Sequence, residues 1–352
     1  MYPLFFNPIH KERIWGGQKL ADKYSRKLEY EKVGESWEIA CHENGMGIIQ
    51  NGPLKGMSLK EAIGKHGEEL LGSAVYNKDY KKFPLLIKII DAADSLSVQV
   101  HPDDNYVNIY QAGELGKTEM WYVIDAKPGA RLVYGLIESC EKESFRESIG
   151  KGSLEDCLHE IEVKAGDVLY IPAGLVHAIG GGILICEIQQ NSDTTYRVYD
   201  WNRVDDNGQI RQLHIDQAMD VIDFDSSSRG SLEGLRITEP GGQHILYIAT
   251  DYFAMDELRV DGMMSIVMDG RRFQTITCIK GEGDIDYNDG HVSLFAGTSC
   301  LLPASLSKID LSGNGTFIRA WIPDKQQIIQ RLEEQGYSKA QMSVIPGLNE
   351  IL

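Results

Sequence analysis

The hydrophobic positions of this chain fall mostly into short runs that alternate with polar residues or are fully apolar, and both patterns are typical of β-strands. Residues 83–90 have the length and β-branched composition of a buried strand, and residues 96–101 follow as the next one. Runs of the same kind predict further strands at residues 119–124, 132–136, 162–164, 168–171, 183–189 and 194–200. Residues 243–322 show a pattern of short strands alone. The chain is therefore predicted to be mainly β.

Helical periodicity is confined to a few segments. Ser58 begins one that ends at Gly72, because a glutamate follows the serine at the spacing of a capping box and apolar residues then recur at helical intervals. Residues 138–160 are predicted to be helical, with a break at Gly152. Residues 326–335 are predicted to form a short terminal helix. These segments interrupt or follow the strands without changing the predicted class.

Two stretches of the chain resemble each other at a distance of 131 residues. Ala165-Gly-Asp-Val-Leu-Tyr-Ile-Pro-Ala-Gly-Leu-Val-His177 shares its Ala-Gly and Pro-Ala pairs and one leucine with Ala296-Gly-Thr-Ser-Cys-Leu-Leu-Pro-Ala-Ser-Leu-Ser-Lys308. Each pattern predicts a strand, a tight turn with proline and a second strand. The first copy ends in His177 and the second in Lys308, so only the first can contribute a metal ligand there. Two β-barrels are predicted, one with the chemistry and one mainly structural.

The boundary between the two barrels is expected in residues 223–242, where Ser, Asp, Gly and Pro give the most linker-like composition of the chain. We predict a catalytic domain over residues 1–240, which includes helical segments. A second, metal-free domain is predicted over residues 241–352 and ends in the short helix. The total length of 352 residues is ample for two domains that each bury a core of their own.

The composition excludes several classes of partner. Hydrophobic residues make up 42% of the chain and charged residues 25%, values that are ordinary for a soluble globular protein. The formal net charge of -17 argues against nucleic acids and anionic membrane surfaces as partners, because both require a basic surface. The charge still permits a small anionic substrate, provided that basic side chains line its pocket.

We find no signal for export or for membrane insertion. The six cysteines include no Cys-x-x-Cys pair, so we expect reduced thiols and a cytoplasmic protein. The first residues lack the basic segment of a signal peptide. The longest apolar run, residues 83–90, contains Lys88 and is too short to span a bilayer.

Four side chains could meet at one metal ion. Gln99 and His101 lie two residues apart in a predicted strand, so both point to the same face. Glu119 begins a later strand, and His177 follows the turn of the first repeat copy. Two imidazoles, a carboxylate and an amide oxygen suit zinc, with manganese or iron as alternatives. No thiolate is near, which favours an open site with room for water or substrate.

The residues around these candidates resemble the two motifs of the cupin superfamily. Gly166-x5-Pro172-x-Gly174-x2-His177 is similar to the second cupin motif. Gln99-x-His101 followed by Glu119 resembles the first motif, with glutamine in place of its first histidine and a longer gap before the glutamate. The resemblance implies two cupin-type (jelly-roll) β-barrels with short helical insertions.

Within the cupins, further stretches resemble the type I mannose-6-phosphate isomerases, in particular their short bacterial form. They are residues 83–104, Gly116-Lys-Thr-Glu-Met-Trp121, Gln190-Asn-Ser-Asp-Thr-Thr-Tyr-Arg197, Trp15-Gly16-Gly17 and Gly34-Glu-Ser-Trp37. The resemblance covers most of the first 205 residues and continues more weakly to about residue 322. It implies an isomerase that uses one zinc ion per chain to interconvert mannose 6-phosphate and fructose 6-phosphate through an enediolate.

Carried over position by position, the resemblance assigns roles to individual residues. The implied zinc ligands are His101, Glu119, His177 and, as a fourth, Gln99. The residues implied at the substrate are Arg197, Asp193, Lys117 and Ser97. Arg197 would act in catalysis with Lys117 and with Asp193 as its acidic partner. Ser97, Lys117 and Arg197 would bind the substrate and its phosphate.

Two other functions stay open at this point. A cupin iron dioxygenase would use the same barrel and a similar ligand set with O2 as substrate, but Lys117 and Arg197 would then have no role. A sugar-binding or regulatory cupin without enzymatic activity would hold a structural metal or none. The oligomeric state is open as well. The group that takes the C–H proton is also open, with a water on the zinc and a nearby carboxylate or histidine as candidates.

Overall fold

Strands account for most of the regular structure. The computed structural model describes residues 1–76, 82–204, 208–225, 230–288 and 290–352. In chain order the strands are β1 (Leu4–Phe5), β2 (Ile9–Gly17), β3 (Val33–Ile39), β4 (Cys41–His42), β5 (Gly45–Met46), β6 (Leu85–Ala92), β7 (Val98–Val100), β8 (Glu119–Ala126), β9 (Arg131–Leu136), β10 (Leu158–Glu162), β11 (Val168–Ile171), β12 (His177–Ala178), β13 (Ile183–Gln190), β14 (Tyr196–Tyr199), β15 (Leu235–Glu239), β16 (Gly242–Ala249), β17 (Ala254–Val267), β18 (Gln274–Tyr287), β19 (Gly290–Phe295), β20 (Ser299–Leu302) and β21 (Lys308–Trp321). The helices are α1 (Lys19–Tyr24), α2 (Leu59–Leu71), α3 (Asp104–Tyr110), α4 (Lys142–Lys151), α5 (Ile215–Val221), α6 (Lys325–Glu334) and α7 (Lys339–Met342), and a 3-10 turn spans Leu154–Cys157. The predicted mainly β class is confirmed.

The chain divides into two units, each assembled from separate stretches. The site unit consists of His10–Ser36 and Lys88–Leu232. The second unit consists of Met1–Ile9, Trp37–Ile87 and Glu233–Leu352. The predicted linker at residues 223–242 falls where the chain passes from the site unit to the second unit, although residues 226–229 lie outside the described part.

This division differs from the predicted one into residues 1–240 and 241–352, because stretches near the amino terminus bond to carboxy-terminal ones. β1 pairs with β20. The end of α2 is tied to the same unit, since the carbonyls of Leu70 and Leu71 accept hydrogen bonds from the amides of Ala304 and Phe273 at 2.9 and 3.0 Å. Pairing between distant stretches of this kind has no local sequence pattern.

Two sheets enclose the core of the site unit. One has the strand order β10-β9-β12-β7-β14 and the other β11-β8-β13-β6-β2-β3. Apolar side chains from both sheets form one buried cluster, which includes Ile90, Trp121, Leu132, Leu169 and Ile183. This is a β-sandwich of the jelly-roll kind. Within the described residues the predicted barrels are open sheets, and they place the inward-facing residues of β7 and β8 around a common interior.

The second unit is built on one large sheet of order β1-β20-β18-β21-β17-β16-β15, with β19 paired to β18. β17, β18 and β21 are each 14 residues long. The expectation of short strands in residues 243–322 is therefore wrong for these three. Glycines that resemble strand breaks lie inside the paired strands, since Gly313 stands opposite both Gly262 and Gly283.

The predicted helices are confirmed in part. The Ser58 hydroxyl accepts a hydrogen bond from the Glu61 amide at 3.2 Å, and the Glu61 carboxylate accepts one from the Ser58 amide at 2.9 Å, so α2 begins with the predicted capping box. The helix predicted at residues 138–160 ends early, because Leu158–Glu162 forms β10 and pairs with β9. The predicted break at Gly152 is present, with φ of 70°.

α1, α5 and α7 were not predicted, since each is too short for a helical period to stand out from the sequence. None of the helices in the described part of the chain has the length and apolar character needed to cross a membrane. None of the six cysteines forms a disulfide within the described part of the chain.

Candidate metal centre and active site

β7 and the residues on either side of it present three polar side chains to the interior of the site unit. Val98 and Val100 are fully buried in a hydrophobic cluster on one face of the strand. Ser97, Gln99 and His101 point to the opposite face, as the period of two predicts. Ser97 and His101 are buried, and Gln99 lines a cavity together with Ser97. The strand therefore brings an amide and an imidazole to one side, as predicted.

β8 supplies a carboxylate from the facing sheet. Glu119 is the first residue of β8, and Trp121 follows on the same face. The pairing of β8 with β11 and β13 places Ile171 and Gln189 opposite Glu119. Glu119 is 1% exposed, so its negative charge must be balanced by groups nearby.

His101, Glu119 and His177 form a buried cluster. One ligand atom from each of the three residues lies within 4.8 Å of the other two. His101 Nε2 is 3.2 Å from Glu119 Oε1, and His177 Nε2 is 4.0 Å from Glu119 Oε2. Among the described residues this is the one group of three or more His, Cys, Asp or Glu side chains with such spacing. The structure thus brings together three of the four predicted ligands.

Main-chain carbonyls orient both imidazoles. His101 Nδ1 lies 3.0 Å from the carbonyl oxygen of Thr194, and His177 Nδ1 lies 2.8 Å from that of Leu175. Because a carbonyl can only accept, each ring carries its proton on Nδ1 and directs the Nε2 lone pair into the cluster. A metal ion bound through Nε2 requires this tautomer and this kind of support.

Burial sets the charge state of the cluster. Burial and the charge of Lys117 lower the pKa of His101 to about 3, and burial also lowers the pKa of His177. Burial opposes ionisation of Glu119, but Lys117 and the two imidazoles hold the pKa of its carboxyl well below its usual range. Two neutral imidazoles and one carboxylate result, which are the protonation states that bind a divalent cation.

Gln99 adjoins the cluster from the β7 side. Its amide nitrogen lies 3.3 Å from His177 Nε2, and the backbones of the two residues are paired. The amide nitrogen and oxygen exchange places when the group turns over, so Gln99 Oε1 can occupy the same position. The buried His101 Nε2 has no hydrogen-bond partner in the described structure. Two imidazole nitrogens, a carboxylate and an amide oxygen therefore fit a zinc ion with an open position.

Lys117 reaches the cluster from the loop before β8. Its Nζ lies 3.1 Å from Glu119 Oε1, and the side chain is buried. The loop is fixed by Asp104 Oδ1, which accepts a hydrogen bond from the Gly116 amide at 2.6 Å. A Cβ at Gly116 would lie 2.5 Å from the Asp104 amide nitrogen, so glycine permits this close approach. Lys117 is thereby placed beside Glu119, where its charge acts on the cluster.

Glu187 is a second buried carboxylate, one to which the sequence motifs do not point. It lies on β13 opposite Trp121. Trp121 Nε1 donates to Glu187 Oε2 at 2.9 Å and to Glu119 Oε2 at 3.0 Å, so a single N–H connects the two carboxylates. Burial and the charge of Glu119 raise the pKa of Glu187. Glu187 also lines the cavity and is therefore a candidate for proton transfer.

Lys88 is the counter-ion of Glu187. Its Nζ lies 3.0 Å from Glu187 Oε1 and 2.7 Å from Gln189 Oε1. Burial opposes the charge of Lys88, but Glu187 and Glu35 raise its pKa above the ordinary value. Lysine and glutamate are almost never buried without a partner. Their occurrence inside two strongly apolar runs was the sequence signal that could have identified this pair.

A cavity of about 480 Å³ opens between these groups. Its wall includes the predicted residues Ser97, Gln99, Lys117, Glu119, Asp193 and Arg197. Arg197 Nε donates to Ser97 Oγ at 3.1 Å, which joins two of the residues predicted to bind substrate. His101 and His177 are buried beside this cavity through their contacts with Glu119. The predicted metal and substrate residues therefore belong to one site.

Asp193 was predicted as the acidic partner of Arg197. It lines the cavity, and its charge is one of those that raise the pKa of Lys88. The charges with the largest influence on the pKa of Arg197, after burial, are those of Arg211 and Asp200. The position of Asp193 thus connects it with the Lys88 side of the cavity.

Two family models match the chain. The model described as the catalytic domain of phosphomannose isomerase type I matches residues 4–123, a range that contains Gln99, His101, Lys117 and Glu119. The model described as the cupin domain of mannose-6-phosphate isomerase matches residues 243–322. The two matches lie on either side of the linker-like segment.

Characterised relatives match over nearly their whole length. Mannose-6-phosphate isomerase ManA of Bacillus subtilis is 40% identical over 312 residues, which are 88% of this chain and 96% of ManA. Mannose-6-phosphate isomerase of Streptococcus mutans is 38% identical over 317 residues, 89% of this chain and 96% of the relative. A crystal structure of mannose 6-phosphate isomerase from Bacillus subtilis matches with a TM-score of 0.84 and 34% identity, covering 91% of this chain and 99% of that one.

Proposed function

The chain belongs to the type I phosphomannose isomerases and is an enzyme of this family, and from that premise we propose that it interconverts mannose 6-phosphate and fructose 6-phosphate with one zinc ion. The observation that carries the proposal is the buried His101–Glu119–His177 cluster beside a cavity that Lys117 and Arg197 also line. An anionic sugar requires cationic side chains in its pocket. Lys117 and Arg197 supply them, although the chain as a whole has a net charge of -17.

We propose His101, Glu119, His177 and Gln99 as the zinc ligands. The neutral imidazoles, the ionised carboxylate and the rotatable amide support this assignment. Zinc bound there would act as a Lewis acid on the oxygens of the sugar. Manganese and iron accept the same donor types, so the identity of the metal is settled by metal analysis.

Isomerisation moves a proton between C1 and C2 of the sugar through an enediolate, which requires a base and stabilisation of the developing negative charge. We assign the base to Glu187, because it is a buried carboxylate of the cavity wall that lies outside the ligand cluster and is connected to Glu119 through Trp121. Lys88 and Trp121 fix its two oxygens. Lys117, 3.1 Å from Glu119, is placed to stabilise negative charge on the sugar oxygens.

Asp193 and Arg197 complete the proposed assignments. Asp193 lines the cavity and would exchange a proton with a hydroxyl of the sugar. Arg197, which is held by Ser97, would bind the sugar phosphate at a distance from the ligand cluster. An iron dioxygenase would leave these polar and cationic groups without a role, which favours the isomerase. Cysteines that form no disulfide in the described structure are compatible with the expected cytoplasmic location.

A coupled assay with mannose 6-phosphate tests the proposal. We expect turnover in the zinc-loaded protein, its loss after chelation and its recovery when zinc is added back, with one zinc per chain by metal analysis. A zinc-loaded protein that does not isomerise mannose 6-phosphate would contradict the proposal. Iron in the purified protein, together with oxygen uptake when substrate is added, would favour the dioxygenase instead.

A further inference from the structure

Five basic side chains line the cavity of the site unit, and they fall into two groups. Lys88 and Lys117 each lie close to a buried carboxylate, at 3.0 Å from Glu187 and 3.1 Å from Glu119. Their charges are therefore balanced within the protein. The other three are arginines that come from separate parts of the chain. Arg13 and Arg211 each pair with one carboxylate, Glu35 at 2.7 Å and Asp200 at 3.4 Å, and Arg197 pairs with none among the described residues.

Building on the proposed function, we propose that Arg13, Arg197 and Arg211 form the subsite for the 6-phosphate, with Arg13 and Arg211 as the residues that determine specificity for a phosphorylated sugar. Neither Arg13 nor Arg211 belongs to a motif of the sequence. Arg13 lies on β2, and Arg211 lies in the loop between β14 and α5.

The first support is the way in which the arginines are bonded. Arg197 donates to two neutral groups, Ser97 Oγ at 3.1 Å and the Gln212 carbonyl at 2.9 Å. Among the described residues its guanidinium has no carboxylate partner within ion-pair distance. A charge that is partly buried and bonded only to neutral groups favours an anion from outside the protein.

The second support is the fixed orientation of the other two arginines. Arg13 uses Nε for Glu35 at 2.7 Å and Nη1 for the Glu12 carbonyl at 3.1 Å, which leaves Nη2 without a partner in the described structure. Arg211 uses Nη1 for Asp200 at 3.4 Å. Guanidinium groups held in this way keep further N–H donors for the oxygens of a phosphate.

The third support is electrostatic repulsion among the arginines, which Asp200 opposes. After burial, the charge of Arg211 is the largest influence that lowers the pKa of Arg197, and Arg13 acts in the same direction. Burial lowers the pKa of Arg211 as well, and Arg13 adds to that effect. Like charges that repel one another across a cavity are stabilised when a dianion binds between them.

The fourth support is spacing. Ser97, which holds Arg197, and Gln99, which adjoins the metal cluster, are separated by one two-residue repeat of β7. That repeat is about 6.6 Å. A hexose in its open form carries the reacting C1 and C2 at one end and the phosphate on C6 at the other. The cluster and the arginines can therefore hold the two ends of one substrate molecule.

The test compares Arg13→Met and Arg211→Met with Arg146→Met, which removes the same charge from an exposed surface position. For the first two variants we expect KM for mannose 6-phosphate to rise about 10- to 100-fold, with a smaller change in kcat. The affinity for inorganic phosphate, measured by calorimetry, should fall about 10-fold, and zinc content should not change. Arg146→Met should match the unmodified protein in all three measurements.

Lysine at either position keeps the charge and loses the planar guanidinium, so Arg13→Lys and Arg211→Lys should give intermediate KM values. An active protein whose methionine variants retain both KM and phosphate affinity would overturn the assignment. Loss of zinc in those variants would overturn it too, because the arginines would then be structural. A zinc-loaded unmodified protein without isomerase activity would instead overturn the proposed function, whatever the phosphate measurements give.

Discussion

The two strand–turn–strand stretches, residues 165–177 in the site unit and residues 296–308 in the second unit, share part of their backbone geometry. The amide of Leu175 donates to the carbonyl of Pro172 at 3.2 Å, and the amide of Leu306 donates to that of Pro303 at 3.1 Å. The glycine before the first strand has positive φ in both, 92° in one and 85° in the other. The turns themselves differ, because Gly174 has φ of 88° and its counterpart Ser305 does not have a positive φ.

The side chains that face the two interiors are apolar in both units at several matched positions, but they differ at the His101–Glu119–His177 cluster. In the site unit β11 lies beside β8, with Ile171 opposite Glu119. At the matching register in the second unit Leu302 stands opposite Gln274. His177 is fully buried in the metal cluster, whereas Lys308 is exposed and Ile309 fills the core in its place. The comparison teaches that this scaffold tolerates either a polar site or an apolar core, and that the inward-facing residues decide which.

The largest effect is expected where the two copies differ most directly. His177→Ala removes a proposed ligand, so zinc should be lost and kcat should fall about 10,000-fold, because the bound metal would lower the activation barrier by several kcal/mol. Lys308→Ala is the matched control and should leave turnover, zinc content and thermal stability unchanged. Zinc retained at one per chain in His177→Ala would contradict the assignment of the ligand.

The second largest effect is expected for a substitution of Glu187 on β13, a strand of the site unit that corresponds to β21 of the second unit. Glu187 lies on β13 opposite Trp121, and its counterpart on β21 is Arg319, which lies opposite Ile276. Glu187→Gln keeps the shape of the side chain but removes the base, so kcat should fall about 1,000-fold at unchanged zinc content. If zinc is lost together with activity, Glu187 supports the cluster and is not the base.

The third effect belongs to the second unit. There the buried Arg319 forms an ion pair with Asp256 through Nε at 3.0 Å and stacks on Trp321, 4.7 Å from the ring centroid. Asp256→Ala leaves a buried charge unpaired and should cost about 3 kcal/mol of unfolding free energy, without changing kcat or zinc content of the folded protein. Asp310→Ala, which breaks a surface pair with Lys308, should cost less than about 1 kcal/mol.

The smallest effect should appear as a dependence of stability on pH. Burial opposes ionisation of Asp256, but Arg319 and His244 lower its pKa to about 2, below the ordinary value of 3.8. Its stabilisation is therefore complete above pH 3.8 and is lost as the pH falls towards 2, and it amounts to about 2 kcal/mol. Denaturant titrations at pH 4.5 and pH 2.5 should show a loss of stability in the unmodified protein that exceeds the loss in Asp256→Ala by about 1.5 kcal/mol. Equal losses in both proteins would contradict it.

Sequence was sufficient for those parts of the fold and site that depend on local spacing. The face shared by Ser97, Gln99 and His101 follows from the period of a strand, and the turn before His177 follows from its glycines and proline. The His101–Glu119–His177 cluster could be predicted because these stretches resemble known motifs. The capping box at Ser58 is equally local.

The remaining parts depend on contacts between distant stretches. Arg13 and Arg211 line the same cavity but are far apart in sequence, and no motif spacing relates them. Lys88 and Glu187 lie in separate strands, and the role of each cannot be assigned from the sequence until its partner is known. The long strands of the second unit were missed because Gly262 and Gly313, which stand opposite each other, have the appearance of turns. Such features are set by register, which only the folded sheet defines.

The pairing of β1 with β20 determines the order in which the second unit can be completed. Leu4 stands opposite Leu301, so the partners are separated by most of the chain. On the ribosome β1 is made long before β20, yet its place in the sheet does not exist until β20 has been synthesised. Contacts of such long sequence separation slow folding. β1 is therefore made before the other strands of its sheet and reaches its final position late.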